Sequence, residues 1–379
     1  MAGSRERLLR HREDPVSASF LELFFDLAFV FTLNQVGAVL LADPSIDGAL
    51  RTALLLATVW FLWVTTTWSA DWYAPDAPVV RVVRIGAALA GLLMGVAVPA
   101  ALDDRSALFV GAYLVVNAGR GLLGLVVLRG HPLRRRIGRI LCWFAASGVL
   151  WLAGLFLPAA RVPLWGLALL VEYAGPSVGW PTPWLGRSRP QELRLRGAHF
   201  AERFRQVFII SLGELIFSAG LAYAESETSP AQTGAFLLIF ATAVLLGLLY
   251  VTPGGRQLAS AIERARPTRL GTASNLLHLV MIAGVVSTAV AAEVVIGHPG
   301  EPGAVAVVVA GPALFLAGRL LLSAAINRRI SLPRLLGLPV LVAVGLVAAD
   351  LPLLVATAVT TAVLVAVAVL DRARVFAPG

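Results

Sequence analysis

The sequence contains no lysine; all 31 of its basic residues are arginine. It has a single cysteine, Cys142. One cysteine excludes an intrachain disulfide and any cysteine-based metal motif, and Cys142 is expected to pack as a small apolar residue. Charge is scarce as well. Only 14% of the 379 residues are charged, where a soluble domain carries about 25%. The arginines lie between apolar runs and not on one basic face, which argues against nucleic acid as a partner. There is no His-Glu-x-x-His pair, no phosphate-cradling glycine loop and no nucleophile with a local base, so little points to an enzyme. No cofactor is expected.

What fills the chain instead is hydrophobic, 58% of all residues. Apolar runs of 18 or more residues recur, and each can cross a hydrocarbon core about 30 Å thick. The pattern predicts an all-α polytopic membrane protein with the lipid bilayer as its partner. Twelve transmembrane helices fall near 19–41, 48–70, 79–101, 106–128, 137–157, 162–180, 198–222, 231–251, 271–296, 303–325, 331–349 and 351–370. Only Ala349, Asp350 and Pro352 punctuate the last two, so eleven helices is the alternative. The Arg-rich start, MAGSRERLLRHREDPV, precedes a long apolar run with no convincing cleavage site, and reads as the flank of an uncleaved first helix.

Loop charge orients the chain. With the N-terminus cytoplasmic, the inside segments collect most arginines, among them Arg5 to Arg12, Arg129 to Arg139, Arg187 to Arg196 and Arg256 to Arg269. The outside loops hold Arg51, Arg105 and Arg161, with acids such as Asp43, Asp103 and Glu225. That asymmetry predicts both termini inside a bacterial plasma membrane.

Two short echoes suggest duplication. "FLELFFDLAFV" at 20–30 matches "FAERFRQVFII" at 200–210 through Phe20, Glu22 and Phe24 on Phe200, Glu202 and Phe204. "AGRGLL" at 118–123 matches "AGRLLL" at 317–322. The expected layout is a cytoplasmic segment 1–18, a first six-helix repeat 19–180, a linker 181–197, a second, parallel repeat 198–370 and a tail 371–379.

Charged residues inside spans usually face a bundle interior or a water-filled cavity. Glu22 and Asp26 are at i and i+4 and share a helix face. Arg120 reaches a similar depth from the fourth span. Glu202 and Arg319 can do the same in the second half, so the sequence offers two acid–arginine sets. Such pairs also serve simply to fix packing, and Glu22 can cap a helix start. Glu214 and Glu172 lie near mid-span, and Pro176 can open the backbone ladder beside Glu172. His278, on one face with Asn275, is either a proton relay or a satisfied core histidine. Trp68, Trp72 and Tyr73 are expected in an interfacial belt, with Trp60 and Trp63 packed between helices.

The stretches "FLELFFDLAFVF", "HFAERFRQVFIISLGEL" and "WLAGLFLPAARVPLWGLALLVEY" resemble the bacterial low temperature requirement protein A family, from about residue 15 to 370. The family pattern maps onto Glu22, Phe24, Phe25 and Asp26, onto His199, Phe200, Glu202 and Arg203, onto Gly213 and Glu214, and onto His278. The family usually has Ser after the Gly-Glu pair, where this chain has Leu215. The resemblance implies a polytopic membrane protein named for a cold-growth phenotype, not a known substrate. A fainter echo, "FFD", is similar to the Phe-Ser-Asp motif of a potassium-channel family built from six-helix units.

The leading reading is a transporter or permease. An ion or small solute would bind in a cavity between the halves, lined by Glu22, Asp26, Glu202 and Glu214, with Arg120 and Arg319 as partners or gates; Glu172 and His278 complete the pathway residues. No metal site is expected. The alternatives are an ion channel, a membrane-embedded enzyme, and a non-transporting structural or regulatory protein in cold or stress adaptation. The sequence leaves monomer and homodimer open.

Overall fold

The computed structural model describes residues 19–74, 77–189, 197–251, 267–327, 330–348 and 350–375. The Arg-rich start 1–18, positions 190–196 of the linker, positions 252–266 of the second long loop and the last four residues of the tail lie outside the described residues. Among the described residues there are twelve α-helices and no strand. They are α1 (Phe20–Ala42), α2 (Ile46–Ala70), α3 (Pro78–Ala97), α4 (Ser106–Val127), α5 (Leu133–Phe156), α6 (Arg161–Val178), α7 (Gly197–Ala224), α8 (Pro230–Val251), α9 (Pro267–Gly297), α10 (Val305–Asn327), α11 (Leu332–Val347) and α12 (Leu353–Val375). Each overlaps one expected span, and the last two are separate helices.

Ten of the twelve are long and apolar enough to cross a membrane. The other two, α6 and α11, have physical reasons to differ. Within 18 residues α6 carries both Arg161 and Glu172, and α11 has only 16 residues. A 16-residue helix rises about 24 Å, short of hydrocarbon about 30 Å thick. The apolar surface calls for lipid: only 28% of the apolar span in α5 is buried inside the protein. Cys142, expected to be packed, is exposed on this helix.

Helix starts follow local chemistry. Ser45 accepts from the Gly48 N–H at 3.1 Å and caps α2. Ser229 and Gln232 form a reciprocal capping box at the start of α8, at 2.9 and 3.3 Å. Glu22 caps α1, its Oε2 accepting from the Ser19 N–H at 2.7 Å. At α12 the orphan N–H groups of Leu353 and Leu354 donate to the carbonyls of Glu301 and Pro299, at 3.0 and 2.9 Å.

The chain divides into two compact units. The first comprises Met1–Val39, Ser45–Gln206 and Ala259–Thr272; the second comprises Leu40–Pro44, Val207–Leu258 and Ala273–Gly379. The first unit has an aromatic core in which Trp60 and Trp63 stack at 4.9 Å between ring centroids, with Phe29 and Phe204 against them. In the same unit Gly95 lets α3 approach α1: a Cβ there would lie 2.7 Å from Thr32 Oγ1. In the second unit α9 and α10 touch backbone to backbone, and a Cβ on Gly284 would lie 2.7 Å from both the Gly311 carbonyl oxygen and the Phe315 nitrogen. Small residues at such crossings are what helix association in lipid requires.

Candidate functional site

The two acids of α1 are buried, and each is held by partners from elsewhere in the first unit. Asp26 takes the Arg203 guanidinium edge-on, with Nη2 donating to Oδ1 at 2.6 Å and Nη1 to Oδ2 at 2.7 Å. Trp63 adds its indole N–H to Oδ1 at 2.8 Å. Arg203 also donates to Gln206 Oε1 at 3.2 Å. One turn earlier, Glu22 Oε1 lies 3.5 Å from His199 Nε2 and 3.6 Å from Arg84 Nη2. The other ring nitrogen of His199 lies 3.4 Å from Asp71 Oδ1. A fully buried imidazole thus stands between two carboxylates.

The pairs expected from depth are not the pairs formed. Arg120 donates to two neutral oxygens, Asn117 Oδ1 at 2.8 Å and Thr66 Oγ1 at 3.2 Å. Glu202 is bonded along its own helix, to Arg205 at 2.6 and 3.0 Å and to Gln206 at 3.1 Å. Equal depth sets height and not azimuth, so it cannot choose a partner.

In the second unit, Arg319 donates from Nε to the Leu249 carbonyl at 3.1 Å and from Nη1 to Ser323 at 3.4 Å. In the first unit another arginine answers a helix-end carbonyl. Arg161 Nε donates to the Gly154 carbonyl at 3.0 Å, and four residues beyond Gly154 stands Pro158. Arg334 carries the acid near Arg319, pairing with Asp371 and donating to Ser323 at 2.9 Å. Glu214 is half-buried and accepts from Ser218 at 3.0 Å. His278 Nδ1 lies 2.7 Å from the Ser274 carbonyl and therefore carries its hydrogen. Its Nε2 then accepts from the Tyr250 hydroxyl at 3.2 Å, as a satisfied core histidine does.

Glu172 is different in kind. It is buried on α6, and its carboxylate meets three neutral donors. The Tyr113 hydroxyl donates to Oε2; Ser147 Oγ and the Trp151 indole donate to Oε1 at 2.7 and 3.1 Å. Pro176, four residues on, has no N–H for the Glu172 backbone carbonyl. Glu172 and Pro176 line a cavity of about 50 Å³ inside the first unit, whose walls include Arg120, Asn117, Thr65 and Trp180. A water needs about 10–15 Å³ by this measure, so a small ion or a few waters fit. A second cavity of about 310 Å³ among α2, α3 and α4 shares Arg120, Ser69 and Tyr73 with it. Tyr73, expected in a belt, is buried between α3, α4 and α5; burial pushes its hydroxyl up to about 12.

Asp71, Arg84, Tyr113 and Ser147 do not stand out in the sequence as site residues, and His199 and Arg203 do so only through the family pattern. Signals existed for several of them. Tyr113, Asn117 and Arg120 lie at i, i+4 and i+7 on α4, Ser147 and Trp151 at i and i+4 on α5, and His199 and Arg203 at i and i+4 on α7.

Helices of membrane length, an apolar exterior and charge kept to the interior define a multi-pass membrane protein. Within that class the chain belongs to a family: residues 17–369 match the model of the bacterial low temperature requirement A protein (LtrA). It is 33% identical over 348 residues to an uncharacterized protein of Rhizobium meliloti (strain 1021), covering 89% of this chain and 84% of that one. No solved structure matches.

Proposed function

We propose that the protein carries an ion or small solute across the bacterial plasma membrane, with proton exchange at Glu172. The observation behind this reading is the set of neutral donors around a buried carboxylate beside a cavity. An ionised Glu172 accepts all three hydrogen bonds. A protonated Glu172 can donate from Oε2 to the Tyr113 oxygen, because a hydroxyl serves as donor or acceptor, while Oε1 keeps Ser147 and Trp151. In both states the carboxyl group of Glu172 keeps all three of its hydrogen-bond contacts. Asp26 has no such freedom, since the guanidinium that holds it does not deprotonate. Arg120, on the wall of the same cavity, supplies the charge that an anionic solute or an ionised Glu172 would meet.

The duplication and orientation belong to the same proposal. Glu22 and Asp26 of the first echo correspond to Glu202 and Gln206 of the second. Arg203 bonds both Asp26 and Gln206. Both termini are placed in the cytoplasm on loop charge.

The test is flux in proteoliposomes, screened with protons, potassium, sodium and small solutes. Glu172→Gln should abolish flux while the protein stays folded. Unchanged flux overturns the assignment; loss in Glu214→Gln alone moves the site to α7. A second reading, a non-transporting structural or regulatory protein, draws support from Glu22 and Asp26, which are committed to partners. Asp26 is also the acid of the "FFD" echo, and its bond to Arg203 weighs against the channel reading.

A further inference from the structure

The first unit has another cavity, outside the Glu172 site, of about 1360 Å³. Six arginines line it: Arg134, Arg135, Arg136 and Arg139 from α5, and Arg187 and Arg189 from the segment after α6. None of its described lining residues is acidic. The walls are firmly built. The Arg136 guanidinium is buried, 4.7 Å from the Trp72 ring centroid and 5.6 Å from that of Trp180. Arg139 is buried too, donating to the Leu185 carbonyl at 2.9 Å and to Ser188 Oγ at 3.1 Å. The segment that bears Arg187 is folded back on itself. Thr182 and Gly186 exchange backbone hydrogen bonds at 3.0 and 2.9 Å, and the Ser188 N–H donates to the Gly179 carbonyl at 2.8 Å. At its tip Trp184 is 96% exposed.

The exposed guanidinium groups of Arg135, Arg187 and Arg189 share one space and repel one another, a repulsion that an anion between them relieves. Guanidinium forks match phosphate oxygens two at a time. Arg135, Arg187 and Arg189 are exposed, so their donors can reach such a ligand without dismantling the buried wall. An exposed tryptophan beside basic residues is the composition of a membrane–water boundary.

We propose that this pocket binds a phosphate-bearing anion, held by Arg135, Arg187 and Arg189 against the wall that Arg136 and Arg139 form. The same chemistry arrives either as the headgroup of an anionic phospholipid or as free phosphate. Trp184 favours the lipid, since it would set the pocket at headgroup depth.

The experiment uses the full chain in nanodiscs of neutral phosphatidylcholine. Phosphatidylglycerol or cardiolipin is added in one arm and inorganic phosphate or pyrophosphate in the other. Bound ligand is read by native mass spectrometry and stability by thermal unfolding. The anionic lipid should bind and raise Tm, and the triple variant R135Q/R187Q/R189Q should weaken binding by about tenfold or more. That variant should unfold like the parent in neutral lipid; the single Arg189→Gln serves if the triple does not fold. A matched triple, R51Q/R81Q/R372Q, should bind like the parent. Binding of phosphate without the lipid keeps the site and assigns it a soluble ligand. No binding in either arm, or equal loss in the matched triple, overturns the proposal. None of these readouts depends on flux.

Discussion

Asp26 and Arg203 share an interior where neither charge is screened by solvent. Removing one of such a pair leaves the other uncompensated, at a cost of about 3–5 kcal/mol. Asp26→Asn and Arg203→Met should each destabilise by that order in micellar unfolding. The double variant Asp26→Leu/Arg203→Met should cost less than their sum, because two apolar groups replace a satisfied pair. Trp63→Phe should cost about 1.5–3 kcal/mol, the range for a hydrogen bond to a charged group. At this scale the sequence was only half legible. It marked Glu22, Asp26 and Glu172 as buried acids in lipid-length helices. It did not name their partners, because Arg203 stands 177 residues from Asp26 and Tyr113 stands 59 from Glu172. Such contacts follow from how helices turn about their axes, which hydropathy does not encode.

Helices were far easier to read than their crossings. Apolar runs cut by proline, glycine and charge located all twelve, since lipid admits few other backbones. What the runs concealed is which glycines stand in close contact. The Gly284 crossing of α9 on α10 is lined by backbone, which cannot give way. Gly284→Ala should therefore destabilise by about 1–3 kcal/mol. Gly121 offers the contrast: a Cβ there meets Leu141 Cδ2 at 2.3 Å, the end of a side chain that can rotate. Gly121→Ala should shift Tm much less, and a comparison of the two variants in the same detergent checks the difference. The arginines that answer the Leu249 and Gly154 carbonyls were likewise hidden, because the acceptor and the donor sit on different helices.

For the molecule as a whole, the orientation drawn from loop charge can be measured with added cysteines in a Cys142→Ala background. A thiol at Glu225 or Gly300 should react with an impermeant reagent from outside intact cells. One at Arg187 or Arg372 should react only after permeabilisation. Reversed labelling would turn the whole chain over. Loop charge was legible because it is a count along the chain, whereas the arginine pocket was not, because its six side chains come from two segments that the fold brings together.

The three arginines on the side assigned to the exterior carry a further consequence. Arg51 faces Asp47 at 2.7 Å, Arg105 donates to the Val96 carbonyl at 2.7 Å, and Arg161 turns inward to Gly154. Each is answered by the protein itself. On the proposed orientation these three would therefore offer the outer leaflet hardly any unanswered positive charge, while Arg135, Arg187 and Arg189 of the same unit, exposed, would face the inner one. A protein of this kind would gather anionic lipid around one face only, and the two leaflets beside it would differ in composition.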